Sequence, residues 1–478
     1  MRLEVIFKIL GVVLLFNAAF LFIALVIAYS NQESSLIPLL FTTLICIIFG
    51  LFPMVFSGKH ETLSFAEGIT VVVSGWVITC VIGMLPYLMW GGEFNLTDAW
   101  FESVSGYTTT GSTILNDIEA LPKSLLFWRS ATHWIGGVGI IIFVLLILPH
   151  ARNARITLLN TEMSELSKSN FHFKARTTIQ ILIVVYVGLT LVETILLRFA
   201  GMSWFDGINH AFATIATGGY STKNSSIAYF ENVWIEVIIM VFMLLSGIHF
   251  GLIFGTLTGS RYNIFRSKVV RSYVLILVLG IILVALKLFF NNFYSWSESL
   301  RYASFQVISV GTTTGFATVD TAIWPVFTQM VIIYFTIQCA MAGSTSGGLK
   351  FDRVYLFIKS VTKQIQLIKH PAGVFAIKME NRTISDSLER QTMLFVVLYV
   401  FTFFITTLLL TTMDIDLTTA FSASIATLGN VGPGFGKVSS LGNFDGLPNL
   451  AKFILSLNML LGRLEIYSVI ALFTIRKR

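Results

Sequence analysis

Thr108-Thr109-Thr110-Gly111-Ser112 is the first of four short segments that share one pattern; Ala216-Thr217-Gly218-Gly219-Tyr220, Thr312-Thr313-Thr314-Gly315-Phe316 and Gly429-Asn430-Val431-Gly432-Pro433 are the others. The glycines in register fall 108, 96 and 117 residues apart, and each segment stands between long apolar stretches. Backbone carbonyls can replace the water around a monovalent cation if several loops surround one axis. Glycine permits the backbone angles that such a loop needs. Threonine adds hydroxyls without adding charge. No carboxylate lies in the four segments, which argues against a divalent site. No Lys or Arg lies there either, which argues against an anion path.

The rest of the chain supports a membrane setting. Of its 478 residues 55% are hydrophobic and 12% are charged, against roughly 25% charged in ordinary soluble domains. Runs long enough to span about 30 Å of hydrocarbon fall near 7–29, 36–57, 65–90, 124–148, 178–200, 232–258, 270–290, 390–412 and 453–475, with an interrupted one at 325–349. The net charge of +7 sits in loops rather than on a soluble face, so nucleic acid is not an expected partner. Residues 149–178 carry five Lys/Arg, and 350–390 carry eight. Residues 91–123 carry five acids against Lys123 alone. The positive-inside rule then predicts a multi-pass protein with both termini in the cytoplasm. The N-terminal run is long and lacks a small-residue cleavage site, so it reads as a retained helix. Cys46, Cys80 and Cys339 are scattered in apolar runs with no metal or disulfide spacing.

After the first two spans, one pattern repeats four times: span, short semi-apolar segment, glycine loop, span. The semi-apolar segments are 97–108, 205–216, 300–312 and 418–429. Each is too short to cross and reads as a half-helix running into its loop. Non-helical backbone at membrane depth is tolerated where it lines a polar cavity or is buried in protein. The expected fold is an all-α polytopic membrane protein. Its four helix–pore helix–filter–helix repeats stand in a pseudo-fourfold arrangement around one pore, beside an N-terminal two-helix hairpin. The units are 1–57 (hairpin), 58–150, 151–260, 261–365 and 366–478. The candidate filter is Thr109, Thr110, Gly111, Thr217, Gly218, Gly219, Thr313, Thr314, Gly315, Asn430, Val431 and Gly432. The four loops are unequal: Gly218 replaces a threonine, and Asn430 and Val431 break the pattern. Selectivity should therefore be real but less strict than in a symmetric channel.

Two features lie beyond the loops. Gly343-Ser344-Thr345-Ser346-Gly347-Gly348 interrupts the third inner span. It can be a movable polar gate or a packing kink filled by hydroxyls. It is no phosphate loop, because Leu349 and Phe351 flank Lys350 where that motif needs Gly-Lys followed by Ser or Thr. Arg463 lies 31 residues after Gly432, inside the last span. Charges inside spans usually face a cavity or a partner. Arg463 reads as a barrier to cations beneath the loops, or as a structural arginine paired elsewhere. Glu465, two residues on, is on another face and is a poor partner for it. Asp98 and Asp206 suit the N-terminal turns of half-helices. His133, His210 and His249 read as packing residues. An alternating-access transporter should show inverted repeats, whereas these four run parallel. No nucleophile–base set or metal cluster suggests an enzyme.

The four glycine segments, with Gly343–Gly348 and the run Asn458-Met-Leu-Leu-Gly-Arg463-Leu-Glu465, resemble the Trk-type potassium transporter membrane subunits of the Trk/Ktr/HKT superfamily. The resemblance covers essentially the whole chain, the N-terminal hairpin included. It implies K⁺ as the transported ion, held at the filter residues, and no nucleotide bound by this chain. It implies a homodimer in the cell (inner) membrane, each protomer with its own pore. It implies a cytoplasmic TrkA-like nucleotide-binding regulatory subunit as a partner. It also implies a gate at Gly343–Gly348 and Arg463. A Na⁺-permeable or Na⁺-coupled Ktr-like transporter is the alternative within the superfamily. In some plant members a serine at the first filter glycine marks Na⁺ permeation, and here Gly111 keeps the glycine.

Overall fold

The computed structural model describes residues 2–56, 63–137, 139, 175–260, 263–380, 382–467 and 469–470. Among these the fold is helical, with one two-stranded hairpin at Lys378–Met379 and Arg382–Thr383. The basic loop before residue 175, the expected boundary at 150/151 and the last eight residues lie outside the described ones.

The chain opens with α1 (Leu3–Ser30) and α2 (Leu36–Phe56), which pack as a hairpin. A Cβ on Gly11 would sit 2.6 Å from the Gly50 carbonyl oxygen, so the two backbones touch. Four units of the same design follow. The first has α3 (Phe65–Gly83) and α4 (Leu85–Trp90), then the short α5 (Leu96–Tyr107), then α6 (Lys123–Gly137). The second has α7 (Ala175–Phe199), the short α8 (Trp204–Ile215), then α9 (Val233–Gly247) and α10 (Phe250–Leu257). The third has α11 (Lys268–Phe290), the short α12 (Trp296–Gly311), α13 (Val326–Gln338) and α14 (Phe351–Lys369). The fourth has α15 (Asp386–Thr411), the short α16 (Leu417–Gly429) and α17 (Asn449–Leu464).

Six described helices are long and apolar enough to cross a membrane, and α9 with α10 makes a seventh if the bent pair counts as one span. Phe22, Phe49, Leu283 and Phe404 point outward and are exposed, as on a lipid-facing surface. Each short helix starts at a side-chain cap that satisfies free N–H groups. The caps are Asn95, Ser203, Ser295 and Asp416.

The ten expected spans differ from the structure in one consistent way. Only the third inner span was expected to break, yet among the described residues the helices of the other three units break, bend or end within their expected spans as well. The α9–α10 pair bends by 106° at Ile248-His249. After α17, Glu465 takes a left-handed conformation, with φ 60°. In the first unit, α6 ends at Gly137 and Gly139 has φ 91°. Gly136 and Gly137 stand at that end and are tightly packed. A Cβ on Gly136 would lie 1.8 Å from the Tyr107 carbonyl oxygen, so only glycine lets α6 pass beneath the end of α5.

The hairpin also supports the first unit. Glu33 accepts hydrogen bonds from the Lys123 and Ser124 N–H groups, both at 3.0 Å, and so caps α6. The Tyr107 hydroxyl donates to Asn17 Oδ1 at 2.7 Å.

These contacts predict opposite outcomes for two glycine replacements. Gly136→Ala forces a backbone shift and should destabilise the protein by about 1–3 kcal/mol. At Gly188, inside α7, a Cβ would meet nothing within 4 Å. Gly188→Ala should be neutral or stabilising, by up to about 1 kcal/mol. Thermal melting of the purified variants in detergent checks both, and a Gly136→Ala protein with an unchanged Tm would contradict this packing.

Candidate ion path

All four short helices end in the same way. The residue two before each loop glycine turns left-handed: Thr109 (φ 55°), Thr217 (54°), Thr313 (64°) and Asn430 (53°). Its N–H bonds three residues back, and the next N–H bonds five residues back. In the first loop these are Thr109 to Gly106 O (3.1 Å) and Thr110 to Ser105 O (2.9 Å). The same two bonds recur at Thr217 and Gly218, Thr313 and Thr314, and Asn430 and Val431. This is the Schellman helix end, normally built on glycine. Threonine in a left-handed conformation costs about 1–2 kcal/mol. Three copies of that strain mark the segment as one held in place by its neighbours. Asparagine tolerates the conformation best, which fits its place in the fourth loop.

The glycines that follow are also left-handed, with φ 82°, 81°, 81° and 99° at Gly111, Gly219, Gly315 and Gly432. Their packing closes a ring. A Cβ on Gly111 would lie 2.1 Å from Gly218 O, and one on Gly219 would lie 2.1 Å from Thr314 O. A Cβ on Gly315 would lie 2.1 Å from Val431 O, and one on Gly432 would lie 2.5 Å from Thr110 O. Loop 1 thus touches loop 2, loop 2 touches loop 3, loop 3 touches loop 4, and loop 4 returns to loop 1. A cavity of about 140 Å³ touches all four glycines. Four helix C-termini meet at the ring, and each carries a partial negative charge that favours a cation. Next to the cavity, the Asn224 amide donates to Asp117 (2.9 Å) and holds its carboxyl below the usual range.

The structure gives the threonine hydroxyls local partners. Thr110 Oγ1 lies 2.8 Å from Thr108 Oγ1 and accepts from Asn430 Nδ2 at 3.0 Å. Thr314 Oγ1 lies 2.9 Å from Thr312 Oγ1.

The Gly343–Gly348 segment packs beneath the ring. Gly343 lies against the His249 ring, and its carbonyl accepts from Phe250 N at 3.0 Å. The Ser344 hydroxyl donates to Met341 O and lies 3.0 Å from Ser346 Oγ. Thr345 Oγ1 donates to Ile215 O, at the end of α8 (3.0 Å). Gly347 lies against Asn430, and Gly348 against Cys339 and Gly429. The segment is anchored behind by Asp352, which accepts from Ala342 N at 2.7 Å.

Arg463 joins these parts. Its guanidinium donates to Thr345 O, to Thr109 Oγ1 (3.3 Å), to Gly136 O and to Gly137 O (2.6 Å). It therefore reaches loop 1, the end of α6 and the interrupted span at once. Glu465 turns away from it and pairs with Arg353 (2.8 Å) and Lys350 (3.7 Å). The carbonyls of Gly136 and Gly137 were missed in the sequence, where only the glycines themselves could have pointed to them.

The other polar residues have packing roles. Asp98 lies in the first turn of α5 and forms a buried pair with Lys452 (2.7 Å). Asp206 accepts from Ser203 and Thr222. His133 stacks on Tyr220 with centroids 4.0 Å apart. His210 bonds Asp206 O and Ser221 Oγ. His249 caps α10. Among the described residues no group of three or more His, Cys, Asp or Glu could hold a metal ion.

Known proteins share this fold. Residues 39–477 match the family model TrkH, described as a cation transport protein. The Trk system potassium uptake protein TrkH of Escherichia coli (strain K12) is 37% identical over 412 residues, 85% of each chain. The protein of that name from Vibrio parahaemolyticus (serotype O3:K6) is 32% identical over 482 residues, 99% of each chain. The crystal structure of the potassium transporter TrkH from Vibrio parahaemolyticus superposes with a TM-score of 0.89 at 30% identity, over 99% of this chain and 98% of that one. These relatives are named for transport and not for a reaction, in line with the expectation that the chain is no enzyme. A match over nearly the whole length, in sequence and in fold, makes this multi-pass membrane chain a member of the TrkH family of Trk-type potassium uptake transporters.

Proposed function

We propose that the chain takes up K⁺ through the ring of four glycine loops. The observation that carries this reading is the closed cycle of glycine-to-carbonyl contacts between loops. Such a ring offers a dehydrated monovalent cation several carbonyl dipoles and no formal charge. The filter comprises Thr109, Thr110 and Gly111, Thr217, Gly218 and Gly219, Thr313, Thr314 and Gly315, and Asn430, Val431 and Gly432. K⁺ is the transported ion, and no nucleotide binds this chain. The four units fall at 58–150, 151–260, 261–365 and 366–478, after the hairpin at 1–57.

Gly343–Gly348 and Arg463 form the gate. Arg463 holds Thr345 against loop 1 and places a fixed positive charge beneath the ring. Transport requires that charge to move aside, because a cation leaving the ring would meet it. A cytoplasmic TrkA-like nucleotide-binding subunit controls the movement, docking on residues 350–390 and the other basic loops. The support for that route is continuity: α14 begins where the interrupted span ends, and Glu465 ties its start to the end of α17. The protein lies in the inner membrane as a homodimer with both termini in the cytoplasm.

Reconstituted vesicles test the reading through reversal potentials under separate K⁺, Na⁺ and H⁺ gradients. A K⁺-selective potential is expected, and equal Na⁺ and K⁺ permeability would favour the Na⁺-permeable alternative. Gly315→Ser should weaken discrimination against Na⁺, because its side chain must push Val431 O outward. Arg463→Ala should raise flux without changing ion preference, because the fixed charge beneath the ring is gone. Unchanged Rb⁺ flux in that variant would remove Arg463 from the gate.

A further inference from the structure

Nine residues before each loop glycine stand Glu102, His210, Gln306 and Ala423. The first three reach forward to brace the chain that leaves their own loop. Glu102 accepts from Thr113 Oγ1 (3.0 Å) and Ile114 N (3.1 Å). His210 Nε2 lies 2.9 Å from Ser221 Oγ, and Gln306 Nε2 donates to Val319 O at 3.2 Å. Only the first brace is a carboxylate, and only there does an arginine join it. Arg129, on α6, donates from Nε to Glu102 Oε1 at 2.8 Å and from Nη2 to Thr113 Oγ1 at 3.3 Å. Its Nη1 crosses to the second loop and donates to Ser221 O at 3.2 Å. Its guanidinium lies 4.0 Å from the centre of the Tyr220 ring, next to Gly219. The Tyr220 hydroxyl closes the circuit by donating to Glu102 O at 2.9 Å.

The two charged side chains are 1% and 0% exposed. An ion pair so deep gives little net stability over apolar residues of the same size, because both charges lose their water. What it supplies is fixed geometry, through the planar guanidinium fork. The ends of the fork lie on Thr113 and Ser221, one residue past loops 1 and 2, beside the junction where Gly111 meets Gly218 O. We propose that the Glu102–Arg129 pair, with Tyr220, is a positioning clamp that sets the separation of loops 1 and 2 and thereby the discrimination between K⁺ and Na⁺. The clamp is no ion ligand; it acts through the backbone that it holds. A ring tied less firmly at one junction can close onto the smaller Na⁺. This inference rests on the reading of the four loops as the filter.

The test uses the full-length protein in vesicles and reads Na⁺ and K⁺ permeability from reversal potentials. Glu102→Gln keeps the shape and removes the charge. Arg129→Lys keeps the charge and removes the fork. Tyr220→Phe removes only the hydroxyl tie and is the mildest change if either of the others fails to fold. The Na⁺ to K⁺ permeability ratio should rise about tenfold in the first two, as when an outer partner of an ion ligand is lost, and less in the third. Arg301→Lys, on α12, breaks a two-bond fork to Glu236 on α9, away from the junction of loops 1 and 2 and with Arg301 30% exposed; its ratio should match the unmodified protein. Folded clamp variants with an unchanged ratio, or an equal rise in Arg301→Lys, would overturn the clamp while leaving the filter standing. An unmodified protein with no preference for K⁺ would overturn both.

Discussion

The fold depends on the approach of four glycine Cα atoms to four carbonyl oxygens of neighbouring loops. That contact leaves no room for a side chain at Gly111, Gly219, Gly315 or Gly432. It also fixes what lies behind it. Each loop leaves its short helix through a left-handed residue, and the carbonyl before its glycine faces the glycine of the preceding loop in the ring. Each short helix must then be held at both ends. N-caps hold one end, and the strained threonines at the other are held by the packing of the ring.

The same constraint shapes the inner helices. They pass close beneath the ring and carry glycine where they touch it, at Gly136, Gly247 and Gly462. Near those points the helices break or bend, and carbonyls come free. In the first unit Arg463 takes up the carbonyls of Gly136 and Gly137. One side chain thus bonds the carbonyls at the end of α6, contacts loop 1 and holds the interrupted span. A positive charge in a membrane span is costly unless it gains such partners. Those partners bind loop 1, the end of α6 and the Gly343–Gly348 segment into one packed unit, with Gly347 against Asn430.

Much of this was legible in the sequence, and the reasons are physical. Apolar runs show the long helices because lipid demands them, and the glycine loops stand out because glycine recurs in register. The residues before the glycines were less legible. Thr109, Thr217 and Thr313 read as hydroxyl donors, and threonine is a poor signal for a left-handed turn. The bend at Ile248-His249 was hidden because neither residue breaks helices by its own preference. The partners of Arg463 and of Arg129 are backbone atoms and side chains far away in the chain, which spacing cannot reveal. The hairpin looked like an addition, yet Glu33 and Asn17 bond directly to the first unit.

The central claim is that the ring of loops holds the transported ion. A crystal grown in Rb⁺ or Tl⁺, with anomalous scattering recorded, tests it most directly. The account predicts peaks on the axis of the ring, within coordination distance of backbone carbonyls from all four loops, that fade when K⁺ is added as competitor and fade less when Na⁺ is added instead. A well-ordered ring with no peak on its axis, or with a peak only outside it, would contradict the account.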